Sequence, residues 1–289
     1  MIFTKAERTG HALIAAAMCA IGLSMVLPIV HVIAQSFSSS VAINTGQVTF
    51  WPVGWTTGNY GFILRDPSIW LAFRNSLIVT VPGTLINLAA TASLAYPLSR
   101  REYLGRKLIL LLILITLIFH APLIPNYLLI KELGLLNTLW ALMLPSAISA
   151  FNLFVMRSFF MNLPAELMDS GKMDGCGELR LLWHIVLPLS RPAMATMGII
   201  YAVANWNTYS AAVYYINKRT LVPLQVRLRE IVFADMFGSS DPNGDLLTQL
   251  SPEGVKMAVI VVATVPIMLV YPFLQKHFIQ GMLVGSIKS

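Results

Sequence analysis

Residues Pro164 to Pro192, reading PAELMDSGKMDGCGELRLLWHIVLPLSRP, form a charged, glycine-bearing island between two long apolar segments. The side chains there with chemical capacity are Glu166, Asp169, Ser170, Asp174 and Cys176, with Gly171 and Gly175 between them. Carboxylates in the early turns of a helix are favoured by its positive dipole end and can pair with cations outside it. No catalytic use fits them: the chain has no GxxxxGK[ST], HExxH or GxSxG and no Cys/His set at metal spacing. Gly171-Lys172 lacks the upstream glycine and the Ser/Thr of a phosphate loop. A second group, Asn205, Trp206, Asn207, Thr208 and Tyr209, puts amides, a hydroxyl and aromatic faces inside an apolar segment. Polar groups at that depth need partners or a wet cavity. Two readings stay open for them, hydrogen-bonding glue between helices and the wall of a polar path.

The elements that carry both groups are membrane helices. Of 289 residues, 56% are hydrophobic and only 11% charged, against about a quarter charged in an ordinary soluble domain. The net charge of +7 is scattered in short clusters, which argues for membrane-flanking charge and against nucleic acid. Cys19 and Cys176 form neither a CxxC pair nor a disulfide framework and read as free thiols. Six segments reach the roughly 20 residues a bilayer requires: residues 11–35, 71–98, 108–130, 139–160, 193–215 and 257–274. Their apolar character is continuous and rich in Leu, Ala and Met, unlike the alternating strands of a barrel. The expected fold is therefore an all-α membrane protein of six transmembrane helices, a single domain over residues 1–289. The first segment far exceeds a signal-peptide core. Gly83, Ala89, Ala90, Ala92, Ser93 and Ala95 give the second a set of small residues for close helix approach.

Basic residues orient the chain. Lys5 and Arg8, then Arg100, Arg101, Arg106 and Lys107, then Arg157, Lys172, Arg180 and Arg191 fall on one side of a six-span topology, which the positive-inside rule makes cytoplasmic. Both termini and the polar loop 161–192 are then expected inside, with outer loops 36–70 and 216–256 opposite. Within the island, Asn162 and Pro164 suit a helix start, Gly175 and Gly177 a break, and Pro188 the end of a second helix. Leu179, Leu182, Trp183 and Val186 in that helix predict one apolar stripe. Such a hairpin fits a cleft on another protein or lies solvated at the interface. In span three, Pro122 and Pro125 beside His120 predict a kink. Ionisable residues inside the spans are scarce, so the relay of an ion-coupled carrier is not evident.

Asp169 to Cys176, DSGKMDGC, followed by WHIVLPLSRP, resembles the cytoplasmic "EAA" loop of bacterial ABC importer permeases. Asp174-Gly175 matches that family's Asp-Gly, and Ile185, Leu187 and Pro188 match its Ile-x-Leu-Pro. Asp169, Ser170 and Gly171 stand where Glu-Ala-Ala is usual, and Cys176 replaces an alanine. The likeness covers nearly the whole chain and is similar to the carbohydrate-importing, maltose-importer-like branch, including its oligosaccharide subgroup. It implies a type I importer permease fold in a bacterial inner membrane, a second permease as heterodimer partner, and an extracytoplasmic solute-binding protein. It also implies two ATPase subunits that hold ATP and Mg, so this chain is not an enzyme and binds no cofactor or metal. Glu166, Asp169, Ser170, Gly171, Asp174, Gly175 and Cys176 would then couple to the ATPases, the two glycines permitting close approach. Asn205, Trp206, Asn207 and Tyr209 would line the path of an oligosaccharide or polysaccharide such as alginate. The alternative is an ion-coupled secondary transporter of a small polar solute.

Overall fold

Long runs rich in Leu, Ala and Met satisfy their backbone only through internal hydrogen bonds, and the computed structural model is helical accordingly, with no strand among the described residues. It describes residues 5–119, 121–233, 251–266, 268 and 269. His120, residues 234–250 of the second outer loop and the end of the sixth expected span at 270–274 lie outside the described residues.

The chain divides into two units, the first comprising Met1–Ile69 and Leu228–Val265. Its longest helix, α1 (Lys5–Ser36), exposes Leu13, Met18, Leu23 and Met25, an apolar surface suited to lipid. Two short helices follow, α2 (Ser40–Asn44) and α3 (Gly58–Arg65). Asn59 donates to the Ser36 carbonyl at 3.0 Å, and Ser251 Oγ donates to Asn44 at 2.8 Å at the start of the helix over residues 252–266. Gly254 lets these side chains pack close, since a Cβ would stand 2.9 Å from both Asn59 Nδ2 and Ile43 Cδ1.

The second unit takes in Trp70–Arg227. Its axis is α4 (Pro67–Ser99), whose small residues divide by side: Gly83, Ala92 and Ala95 are buried while Ala89 and Ser93 are exposed. Next come α5 (Arg106–Ile118), α6 (Leu123–Glu132), α7 (Trp140–Met143) and α8 (Ala150–Met161). Helix α9 (Ala165–Met173) precedes α10 (Glu178–Leu181), a π-helical turn over Leu182–Val186 and α11 (Leu187–Leu189). Then follow α12 (Arg191–Trp206), α13 (Ser210–Tyr215) and α14 (Leu224–Phe233).

Among the described residues, only Leu13–Ser36 and Pro67–Ser99 are single helices long and apolar enough to cross a membrane. Three of the expected spans are interrupted instead of continuous. Span three breaks between Ile118 and Leu123, where Pro122 caps α6 and Pro125 sits harmlessly in its first turn. Span four breaks between α7 and α8 around Pro145, and span five at Asn207–Tyr209 between α12 and α13. A buried cluster of Ala92, Tyr96, Leu153, Met156, Phe160, Met168, Leu182, Val186 and Met197 joins α4, α8, the α9–α10 hairpin and α12. The hairpin is thereby packed onto the long helices, which positions the first candidate site.

Candidate functional sites

The turn of the hairpin is set by backbone rules. Asp174 ends α9, and Gly175 follows at φ +76° with its N–H on the Lys172 carbonyl, while Cys176 N–H reaches back to the Gly171 carbonyl, both at 3.0 Å. This is the Schellman arrangement, in which glycine takes the left-handed position at no steric cost. It leaves Glu166, Asp169, Ser170 and Asp174 exposed, with the free thiol of Cys176 half-buried. Met173, Leu179 and Trp183 are also exposed, at 88%, 76% and 63%. Carboxylates and large apolar side chains thus share one small projection, a composition suited to docking.

Two expectations for the hairpin need correction. Leu179 and Trp183 do not share a stripe with Leu182 and Val186, which are buried. The packed edge takes Leu182 and Val186, across a π-turn in which the Leu187 N–H bonds the Leu182 carbonyl five residues back, and leaves the neighbouring i, i+4 edge of Leu179 and Trp183 free. Pro188 marks the end of the second helix as expected, helical backbone stopping at Leu189 before an 84° bend into α12. Gly171 serves the hairpin's own packing, since a Cβ there would meet Leu181 Cδ2 at 2.6 Å and Ile185 Cδ1 at 2.8 Å.

A clasp not visible in the sequence ties the hairpin to α4. The Tyr96 hydroxyl donates to Glu178 Oε2 at 2.6 Å, and Lys172 Nζ lies 3.1 Å from Glu178 Oε1. The Arg100 guanidinium covers the Tyr96 ring at 4.7 Å. The Tyr96 hydrogen bond holds the Glu178 carboxyl below its ordinary range, with Lys172 and Arg100 acting in the same direction against burial. Arg157 separately ties α8 to α4 by donating to the Leu98 carbonyl at 2.8 Å.

The amide and aromatic group of span five is divided by the structure. Asn205 is buried and donates to Asn87 Oδ1 at 2.9 Å and Thr84 Oγ at 3.3 Å, and Asn87 in turn donates to the Ser146 carbonyl at 2.6 Å. Gly83 allows this approach, because a Cβ there would stand 3.1 Å from Asn205 Nδ2. Asn205, Asn207 and Tyr209 line a cavity of about 530 Å³ that Ser149, Asn152 and Tyr201 also line. Trp206 is not on that wall: it packs edge-on to Phe73 at 5.9 Å, its indole N–H buried with no partner among the described residues. Asn87, Thr84, Asn152 and Tyr201 escaped sequence reasoning, since isolated polar residues in apolar runs carry no spacing signal.

Residues 103–284 match the family described as the binding-protein-dependent transport system inner membrane component. The polygalacturonan/rhamnogalacturonan transport system permease protein YtcP of Bacillus subtilis (strain 168) is 44% identical over 272 residues, 92% of this chain and 94% of its own. Protein LplC of the same organism is 42% identical over 272 residues, 93% of this chain and 91% of its own. A chain in the crystal structure of a bacterial ABC transporter involved in the import of the acidic polysaccharide alginate superposes with a TM-score of 0.90 at 32% identity, covering 96% of this chain and 99% of that one.

Proposed function

The chain belongs to the family of binding-protein-dependent transport system inner membrane components, and we propose that it is one of two different permease subunits in an ATP-driven importer of oligosaccharides. The observation that carries this reading is the near full-length likeness, at a TM-score of 0.90 and 32% identity, to a subunit of the alginate importer. The partners are the second permease, two ATPase subunits holding ATP and Mg, and an extracytoplasmic solute-binding protein. The α9–α10 hairpin faces the cytoplasm, as do both termini.

In this mechanism the exposed Asp169 and Asp174 meet basic groups on the ATPase while Met173, Leu179 and Trp183 fill apolar hollows around them. Such seating follows helix-in-groove recognition. When the ATPases close, the hairpin is displaced, and the buried cluster carries α4, α8 and α12 with it as packed bodies. The Tyr96–Glu178–Lys172 clasp stiffens the joint at the end of α4. The wall bearing Asn205, Asn207 and Tyr209 then changes its access from one side of the membrane to the other. Amides and hydroxyls suit sugar hydroxyls, and aromatic faces suit sugar C–H faces.

The test is co-expression with the neighbouring permease and ATPase genes, followed by purification and reconstitution into liposomes. A heteromeric complex whose ATP hydrolysis and sugar uptake rise with loaded binding protein is the expected result. Uptake that survives inactivation of the ATPases and collapses with a protonophore would establish an ion-coupled carrier instead.

A further inference from the structure

Two arginines meet at the end of α4. Arg106, the first residue of α5, donates from Nη1 to the Arg100 carbonyl at 3.1 Å, and Arg157 of α8 donates from Nε to the Leu98 carbonyl at 2.8 Å. Their guanidiniums therefore stand on neighbouring carbonyls, within electrostatic reach of each other. Arg101 and Lys107 flank them, both exposed. Among the described residues no carboxylate lies within ion-pair distance of these four cations, although Glu102 sits exposed in the same loop. Arg100 is committed elsewhere, to the Tyr96 ring.

Like charges held together cost free energy, and an anion placed between them removes that cost while taking up the N–H donors that α4 leaves over. A phosphodiester suits the pair. It accepts from both guanidiniums at once, and their stems are already fixed, so little ordering remains to be done. The apolar surroundings say which phosphodiester. Leu104, at the tip of the α4–α5 loop, is 92% exposed, and Tyr103 beside it is exposed as well. Down α5, Leu108, Leu111, Leu112 and Ile115 follow at i, i+3, i+4 and i+7 and stay exposed, while Ile109, Leu110 and Ile113 pack inward on the buried cluster. Leu112 stands about 9 Å along the helix axis from Arg106, beyond a headgroup layer of roughly 5–8 Å. The apolar face thus reaches the depth of acyl chains. A dissolved phosphate or nucleotide would use the cations and leave that face uncovered.

We propose that this corner seats one anionic phospholipid, its phosphodiester held by Arg106 and Arg157 and its acyl chains lying along Leu108, Leu111 and Leu112. Basic residues at the end of a membrane helix suit such headgroups, and Arg101 and Lys107 add to the attraction. The bound lipid ties α4, α5 and α8 together beside the clasp, because Arg100 covers Tyr96 and Tyr96 holds Glu178. That the leaflet is the cytoplasmic one rests on the orientation in the importer reading above.

The test uses the complete importer complex, delipidated in detergent and titrated with dioleoyl phosphatidylglycerol or dioleoyl phosphatidylcholine under native mass spectrometry. Phosphatidylglycerol should bind at least about tenfold tighter, and excess inorganic phosphate should not displace it. A phosphatidylglycerol with a diazirine in its acyl chain should crosslink to this chain between Leu104 and Ile115. Arg106→Gln combined with Arg157→Gln keeps a donor for each α4 carbonyl and deletes both charges, so the two lipids should then bind within about twofold of each other. Arg219→Gln, at an exposed cation of the outer loop, should keep the full preference. Equal affinity for the two lipids in wild type, displacement by phosphate, crosslinks confined to other stretches or to the partner permease, or a full preference in the double variant overturns the proposal. Should the double variant fail to assemble by size exclusion, the wild-type preference and the crosslinked peptide decide. ATP hydrolysis stimulated by loaded binding protein, measured on the same preparation, separates the two readings. Stimulation without a lipid preference sinks only the lipid seat, whereas crosslinks at Leu104 to Ile115 without stimulation sink only the importer.

Discussion

In the α9–α10 hairpin, Asp169 and Asp174 stand exposed and the apolar Met173 and Leu179 project beside them. On the wall of α12, Asn205 is buried and its amide is held by α4, while the surface left to the cavity is neutral. The hairpin keeps its charges solvated, which costs little before a partner arrives and steers the encounter when it does. The wall cannot follow that strategy, because an unpaired charge inside a membrane is expensive. It uses neutral amides locked by neighbours, so position is fixed before any solute enters. In the proposed importer, the first region is recognised from outside and the second stays in place while solute passes.

The largest effect expected from this contrast is in the hairpin turn. Gly175→Pro asks for φ near −65° where the backbone holds +76°, and it deletes the N–H bonded to Lys172. Binding-protein-stimulated ATP hydrolysis and uptake should both fall at least about tenfold, since left-handed strain and a lost hydrogen bond together exceed 1–2 kcal/mol. Wild-type stimulation in that variant would remove the hairpin from the coupling route.

A smaller effect belongs to the wall. Asn205→Ala leaves Asn87 Oδ1 buried without its donor and should destabilise the subunit by about 1–3 kcal/mol, read as a lower melting temperature with reduced uptake. The affinity of the binding protein for the complex should not change. Trp206→Phe keeps a ring against Phe73 and deletes only an unpaired N–H, so it should leave both quantities near wild type. A loss of uptake in Trp206→Phe at full stability would return the indole to the solute path.

Much of the hairpin was legible because local rules set it. Gly175 reads as a break, and it sits where the Schellman turn needs a left-handed residue. Pro164 reads as a helix start and caps α9. The second half was misread because spacing groups Leu179, Leu182, Trp183 and Val186 into one broad stripe without saying how much of it a neighbour covers, and the helices packed there cover only the Leu182–Val186 edge. The apolar runs announce membrane helices and Pro122 announces the break in the third, yet composition does not mark where Pro145 or Asn207 interrupts the fourth and fifth. The clasp was hidden for another reason: Tyr96 and Glu178 are 82 residues apart and meet only through tertiary packing. Asn152 was hidden likewise, because a single asparagine in FNLFVMRSFF carries no spacing signal.

The smallest expected effect is on the clasp, where hairpin and long helix meet. Its ion pair is half exposed on both sides, 47% for Lys172 and 59% for Glu178, so it contributes about 0–1 kcal/mol. Most of the strength lies in the hydrogen bond from Tyr96, which is charge-assisted while Glu178 is ionised. Because the folded state lowers the Glu178 pKa from 4.5, the contribution is complete above that ordinary value and is lost as pH falls through the lowered one. Coupling, measured as sugar imported per ATP, should therefore be flat across the neutral range. Glu178→Gln still accepts from Tyr96 and should lower coupling only about twofold, because a neutral hydrogen bond replaces a charged one. Tyr96→Phe added to it should cost less than Tyr96→Phe alone, since the two side chains share one interaction. Additive losses would mean that they act separately, and the joint between hairpin and α4 would then reside in the buried apolar cluster alone.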